Sequence, residues 1–267
     1  MGVASPASSL LVSINVAHVR LHGWPRCIVG GGTMYLSIPA FVLLNLTLVV
    51  ALLQGVLAPL FGVSTVRWAD HVVMDRGRIA NLYWLDRLNC QFCGYANGLS
   101  TMLNTQLDRL AEANPNAGAL RWAVAGLAAV VTAPLWVAFD LYTVRFLYGG
   151  IISRCLYMHR FSWAEGAAVL EAGRYAEHLP APARTVLRTW KNSALALEML
   201  LEQIESAWCP LRHYETREGI VYPAHHKRFF GANHIDELRA ARAYLYANGG
   251  TVSERGTTAV VPVRPTP

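Results

Sequence analysis

Residues 34–63, MYLSIPAFVLLNLTLVVALLQGVLAPLFGV, decide the class of this chain, because thirty consecutive positions carry no charged side chain. At helical rise they cover ~45 Å, more than the ~30 Å hydrocarbon core of a bilayer. A core helix of a soluble domain rarely needs that length without a charge, so the stretch reads as a transmembrane helix. The rest of the composition agrees. The 267 residues are 54% hydrophobic and 15% charged, against ~25% charged in ordinary soluble domains, and mean hydropathy is +0.29.

A second apolar segment covers residues 117–155, with a charge-free run from Trp122 to Phe139. It continues through Asp140 and Arg145, with Pro134 in its middle and Gly149-Gly150 near its end. Charges at membrane depth are costly, and five residues apart is poor spacing for a pair on a straight α-helix, so an interfacial helix end is the simpler reading. The segment is expected to be one pass or a re-entrant, broken hairpin. Residues 1–33 are an extension without a basic n-region or a convincing cleavage site, so they do not read as a signal peptide. Met34 is an alternative start.

Residues 64–116 read as a loop and helical segment, residues 156–250 as a helical C-terminal region, and residues 251–267 as a disordered tail. Ser162-Trp163-Ala164-Glu165 has the form of a capping box. From about Ala183 to Trp208, Val186, Leu187, Trp190, Ala194, Leu197, Leu201 and Ile204 recur at steps of three and four, the mark of one buried face. A final helix is expected from Asn233 to about Asn248. No internal repeat and little β signal stand out. The expected fold is mainly α: an integral-membrane helical protein with amphipathic helices after the second apolar segment.

The chemistry-bearing residues form two half-sites, Cys90-Gln91-Phe92-Cys93 and Cys209-Pro210-Leu211-Arg212-His213. Cys-x2-Cys puts two sulfurs on one side of a turn, and Cys-x3-His does the same for a sulfur and an imidazole. Cys90, Cys93, Cys209 and His213 make a Cys3His set suited to tetrahedral zinc, with iron as the alternative. Such a set fills the tetrahedron and leaves no open position, which favours structural zinc in a scaffold or accessory subunit. Electron transfer through iron, or a membrane thiol-disulfide couple of Cys90 and Cys93 with Asn89 as helix cap, are the alternatives. His225 and His226 are candidate replacements for His213. His71 and Asp75 have the spacing of a second metal or proton site, and a surface pair is the simpler reading.

Five cysteines without a disulfide framework suit a reducing compartment. With basic residues flanking the first span, this places the protein in a bacterial inner membrane with its cysteine motifs facing the cytoplasm. A formal charge of +6 fits anionic headgroups. Basic residues do not interleave with aromatics in a strip, which argues against nucleic acid. The expected partners are the lipid bilayer and other membrane-complex subunits. No nucleophile triad, phosphate loop or paired-carboxylate site is present.

Cys90-Gln91-Phe92-Cys93-Gly94-Tyr95 resembles the first knuckle of rubredoxin, and Cys209-Pro210 the start of its second. Arg212 stands where that family has a cysteine, and the helical pattern departs from its fold. The longer strings are similar to a little-characterised group of small bacterial proteins that pair Asn-Cys-x-Tyr-Cys-x-Tyr-x-Asn-Gly with Trp-Cys-Pro-Ile-Lys-His. Asn89, Cys90, Cys93, Tyr95, Asn97, Gly98, Trp208, Cys209, Pro210 and His213 match. In that group the two segments lie closer together, so the resemblance implies that the second apolar segment and its flanks are an insertion. It implies a site and no reaction.

One topological conflict follows. A single crossing by residues 117–155 would leave the two half-sites on opposite membrane faces, unless that segment enters and returns on one side.

Overall fold

The computed structural model describes Asn15, His18, Val19, Met74 and residues 23–72, 84–155 and 163–208. Among them the regular structure is helical throughout. Two helical runs are long and apolar enough to cross a membrane: α1, Trp24–Phe61, and α3, Ala119–Cys155. Two more are amphipathic: α2, Trp84–Ala111, and α5, Ala181–Trp208. A short α4, Trp163–Ala172, packs on α5. The first apolar helix begins at Trp24 rather than Met34, launched by Gly23 at φ 81 and Pro25 in the first turn. Gly118 at φ 89 launches α3 in the same way. Glycine accepts that backbone without steric cost. The helix expected from residue 233 and the tail from 251 lie outside the described residues.

α3 runs without a break through Pro134 and Gly149-Gly150. What changes along it is the winding. From Phe139 to Ile152 the helix is π-wound, and the Ser153 N–H reaches five residues back to the Tyr148 carbonyl. α1 does the same from Leu44 to Leu57, with the Ala58 N–H on the Leu53 carbonyl. The wider turn decides the Asp140–Arg145 question. Residues five apart stand one above the other, and Arg145 Nε donates to Asp140 Oδ2 at 2.6 Å. The two thus form an ion pair that stays partly exposed, at 47% for Arg145 and 17% for Asp140. Ser193 Oγ on α5 donates to the other carboxylate oxygen at 2.7 Å.

The four long helices form a ring in the order α1–α2–α5–α3. α1 and α2 run parallel, tied by Tyr35 to Asn89, Phe41 against Phe92 at 5.7 Å and Gln54 to Gln106 at 3.5 Å. α1 and α3 run antiparallel, with Ser37 Oγ 2.9 Å from Tyr148 Oη and Phe61 against Trp122 at 4.5 Å. α3 and α5 run parallel, with Trp136 stacked on Trp190 at 4.6 Å. This is an up-up-down-down bundle, which needs two crossovers. α1, α2, α3 and α5 all supply its core, from Phe41, Leu53, Leu99 and Leu103 to Tyr148, Leu197 and Leu200.

Residues 62–72 of the first crossover climb along α2 with one short 3-10 turn, Trp68–Asp70, and the stretch before that turn, Val63–Val66, needs outside partners for its polar groups. Side-chain amides supply them. Gln106, fully buried, accepts from the Val66 N–H at 2.9 Å and donates to the Ser64 carbonyl at 3.3 Å. Gln54 Nε2 donates to the Val66 carbonyl at 2.8 Å, and Arg109 to the Thr65 carbonyl at 2.6 Å. The segment then closes on α2 at Gly98, where an added Cβ would lie 2.6 Å from Val72 Cα and closer still to the His71 carbonyl oxygen. Only glycine admits backbone that near.

Candidate metal site

Cys90 and Cys93 lie in the first third of α2, one helical turn apart, with Cys90 buried and Cys93 half-buried. That spacing turns both thiols toward one side of the helix. The pair is inside a regular helix rather than on a tight knuckle, so the rubredoxin-like geometry is not seen here. Because α2 begins at Trp84, Asn89 is an interior residue and not a cap. Its Oδ1 accepts from Tyr35 Oη, and its Nδ2 donates to Asn15 Oδ1 at 3.3 Å. A helix N-terminus therefore does not act on the cysteine pair.

Polar groups that the motif did not predict surround the pair. Asp86, one turn before Cys90, is 2% exposed. Its Oδ1 accepts from Asn15 Nδ2 at 2.6 Å, while Oδ2 has no hydrogen-bond partner. Burial pushes its carboxyl up to about 6 against the relief that Asn15 gives. One turn after Cys93, Asn97 Nδ2 donates to the Cys93 carbonyl at 3.0 Å and to Glu205 Oε2 on α5 at 2.7 Å. Thr101 and Asn104 repeat the pattern lower down, both donating to Glu198, at 3.1 and 2.7 Å. Below them Lys191 Nζ pairs with Asp108 at 2.8 Å. The signal for this seam is legible once sought. Asn97, Thr101 and Asn104 lie at i, i+4, i+7 on α2, and Glu198 and Glu205 seven apart on α5.

These ties set an antiparallel register in which each turn down α2 meets a turn up α5. At the upper end, the turn of α5 beyond Glu205 carries Trp208, level with the cysteine turn of α2. Trp208 is buried, with His18 stacked on it at 4.0 Å and His18 Nε2 2.7 Å from its carbonyl oxygen. α2 starts at the end where α1 starts, and α5 finishes at the end where α3 finishes, so both half-site helices meet at one end even though α3 runs straight through.

Cys209 and His213 lie outside the described residues, as do His225, His226 and Asp75. Among the described residues, no group of three or more His, Cys, Asp and Glu side chains is placed to hold a metal ion. His71 is buried against α2, with Nδ1 3.3 Å from the Arg67 carbonyl oxygen, and burial lowers its pKa. His71 itself is therefore not at the surface, while Asp75, its expected partner, lies outside the described residues. Arg87 is exposed.

The lower half of the bundle is hollow. A cavity of about 820 Å³ opens between the first half of α3 and the first half of α5, roofed by Asp140, Arg145 and Ser193. Its walls are apolar, including Leu57, Phe61, Leu110, Trp122, Trp136 and Trp190. Comparison of the chain with protein-family models, with curated proteins and with solved structures finds no match in any of the three.

Proposed function

We propose that this chain is an integral-membrane helical protein in which Cys90, Cys93, Cys209 and His213 hold one structural zinc ion. The site staples the end of α5 to α2 in a scaffold or accessory subunit of a membrane complex. The observation that carries this reading is the α2–α5 register, because Cys209 follows directly on Trp208, which sits level with the Cys90–Cys93 turn. Two thiolates one helical turn apart suit two adjacent vertices of a tetrahedron, and a Cys-x3-His pair suits the other two.

The membrane part rests on α1 and α3. Each is ~55 Å long by helical rise, and both turn apolar side chains outward, Leu36 at 63% and Leu127 at 65% exposure among them. Lipid is the solvent in which such a surface costs nothing. The proposed setting is a bacterial inner membrane with the cysteine end toward the cytoplasm, where thiols stay reduced.

The test is elemental analysis of the detergent-purified full chain and of Cys209→Ala. One equivalent of zinc, lost in the variant, is expected. One equivalent of iron with a thiolate charge-transfer band would move the reading to electron transfer. A folded, metal-free protein whose Cys90 and Cys93 cycle between thiol and disulfide would replace it with a redox couple.

A further inference from the structure

Residues 23–57 and 118–152 repeat one plan in opposite orientation. Shifting α1 by 95 residues lays it on α3. Gly23 falls on Gly118, with φ 81, ψ 148 against φ 89, ψ 146. The π-wound segment Leu44–Leu57 falls on Phe139–Ile152, and Gly55, 3.1 Å from the Val50 carbonyl by its would-be Cβ, falls on Gly150, 3.2 Å from that of Arg145. Ten of the 35 positions from Gly23 to Leu57 are identical to their mates, among them Arg26/Arg121, Gly31/Gly126, Pro39/Pro134, Val49/Val144 and Leu52/Leu147. Each copy is followed by a crossover and a long amphipathic helix, α2 or α5, although these two share a single identity at the same shift, Asn97 with Asn192. The shift also carries Phe41 and Tyr95, hydrogen-bonded through the Phe41 carbonyl, onto the stacked Trp136 and Trp190. Since α1 and α3 are antiparallel, this is an inverted repeat.

The copies do not have the same conformation. In α1, Cys27, Gly30, Thr33 and Met34 are buried. Their mates Trp122, Ala125, Ala128 and Ala129 face the same way round the helix and are only half-buried. Three of them line the cavity. The first half of α1 is thus docked on the bundle at the upper end, and the first half of α3 stands off it at the lower end. The contact residues themselves differ at all four positions, Trp122 standing for Cys27 and Ala125 for Gly30 among them.

We propose that the lower cavity is one of two alternating half-cavities. The first half of α3 closes it by docking as α1 does, swinging at Pro134 and the π-wound segment that follows. The first half of α1 then swings out at Pro39 and opens the upper end beside Cys90 and Cys93. The two motions are coupled in this proposal because the first half of α1 packs on the π-wound segment of α3, with Ser37 and Phe41 against Tyr148, and that segment is a hinge of the α3 swing. Such rocking of inverted repeats about a central site is the mechanical basis of alternating access.

The test is the rate at which Cys27 reacts with a neutral, permeant maleimide, followed residue by residue by mass spectrometry on the full chain in lipid vesicles. Ala129→Trp wedges the lower cavity open, and the expected result is at least tenfold slower modification of Cys27 than in the native chain. Ala133→Trp, also in the cavity wall, is expected to act alike, while Leu127→Trp on the outer face leaves the rate unchanged. Met34→Trp, at the mate of Ala129, is expected to accelerate it at least tenfold. A Cys27 rate indifferent to both cavity wedges, or no reaction of Cys27 in the folded native chain, would overturn the proposal.

Discussion

Gly98→Ala offers a clean test of the packing between the first crossover and α2. In an exposed helix interior, replacing glycine by alanine stabilises by roughly 0.5–1 kcal/mol. At position 98 the new Cβ would stand 2.6 Å from Val72 Cα and nearer to the His71 carbonyl oxygen. Ordinary carbon contacts begin near ~3.5 Å, so the crossover must retreat by about an ångström. It is not free to do so. The His71 and Val72 N–H groups are tied to the Trp68 carbonyl at 3.0 and 2.9 Å, and the Trp68 ring packs on Tyr95 at 5.6 Å. Overpacking against side chains costs about 1–3 kcal/mol, and a backbone neighbour yields less, so the loss should be at least 3 kcal/mol, a hundredfold or more in the folding equilibrium. The assay is reversible unfolding in mixed micelles, beside Gly126→Ala, where a Cβ meets nothing within 4 Å. That control should be neutral or stabilised by up to ~1 kcal/mol. Equal stability of Gly98→Ala and the native chain would refute the close approach of the crossover.

Three further outcomes are expected. Asp86 is held up at about 6 by burial, so the folded state keeps its proton longer than the unfolded state. The contribution of Asp86 to stability should then be fully present below pH ~4 and be lost, by on the order of 3 kcal/mol, as pH rises through ~6, and Asp86→Asn should abolish that part of the slope in pH-dependent melting. Gln106→Leu strands the Val66 N–H and the Ser64 carbonyl, which should cost about 2–4 kcal/mol and speed proteolysis between α1 and α2. In the metal assay, Cys90→Ser and Cys93→Ser should each lose the ion as fully as Cys209→Ala, and His213→Ala should weaken retention without abolishing it.

The cysteine motifs were legible because ligand chemistry demands residue types that chance seldom places together. Their neighbours were not. Glu205, Asp86 and Tyr35 acquire their roles only when helices far apart in sequence lie side by side, and a polar residue on a helix looks the same from the sequence whether water or a carboxylate faces it. The inverted repeat was present in the sequence throughout. Its identities are mostly glycine, proline and aliphatic residues, which any apolar helix contains, and only the matching dihedrals and π-wound segments separate copying from composition.

By itself the sequence determined that the chain is helical and that two stretches are apolar enough to cross a membrane, because both properties follow from local composition and periodicity. Tertiary structure alone decided the winding of those helices, the pairing of Asp140 with Arg145, the register that brings Trp208 level with the cysteine turn, and the unequal docking of two similar halves. Each depends on contacts between elements distant in the chain, where small differences in packing choose among arrangements that local sequence leaves equally open.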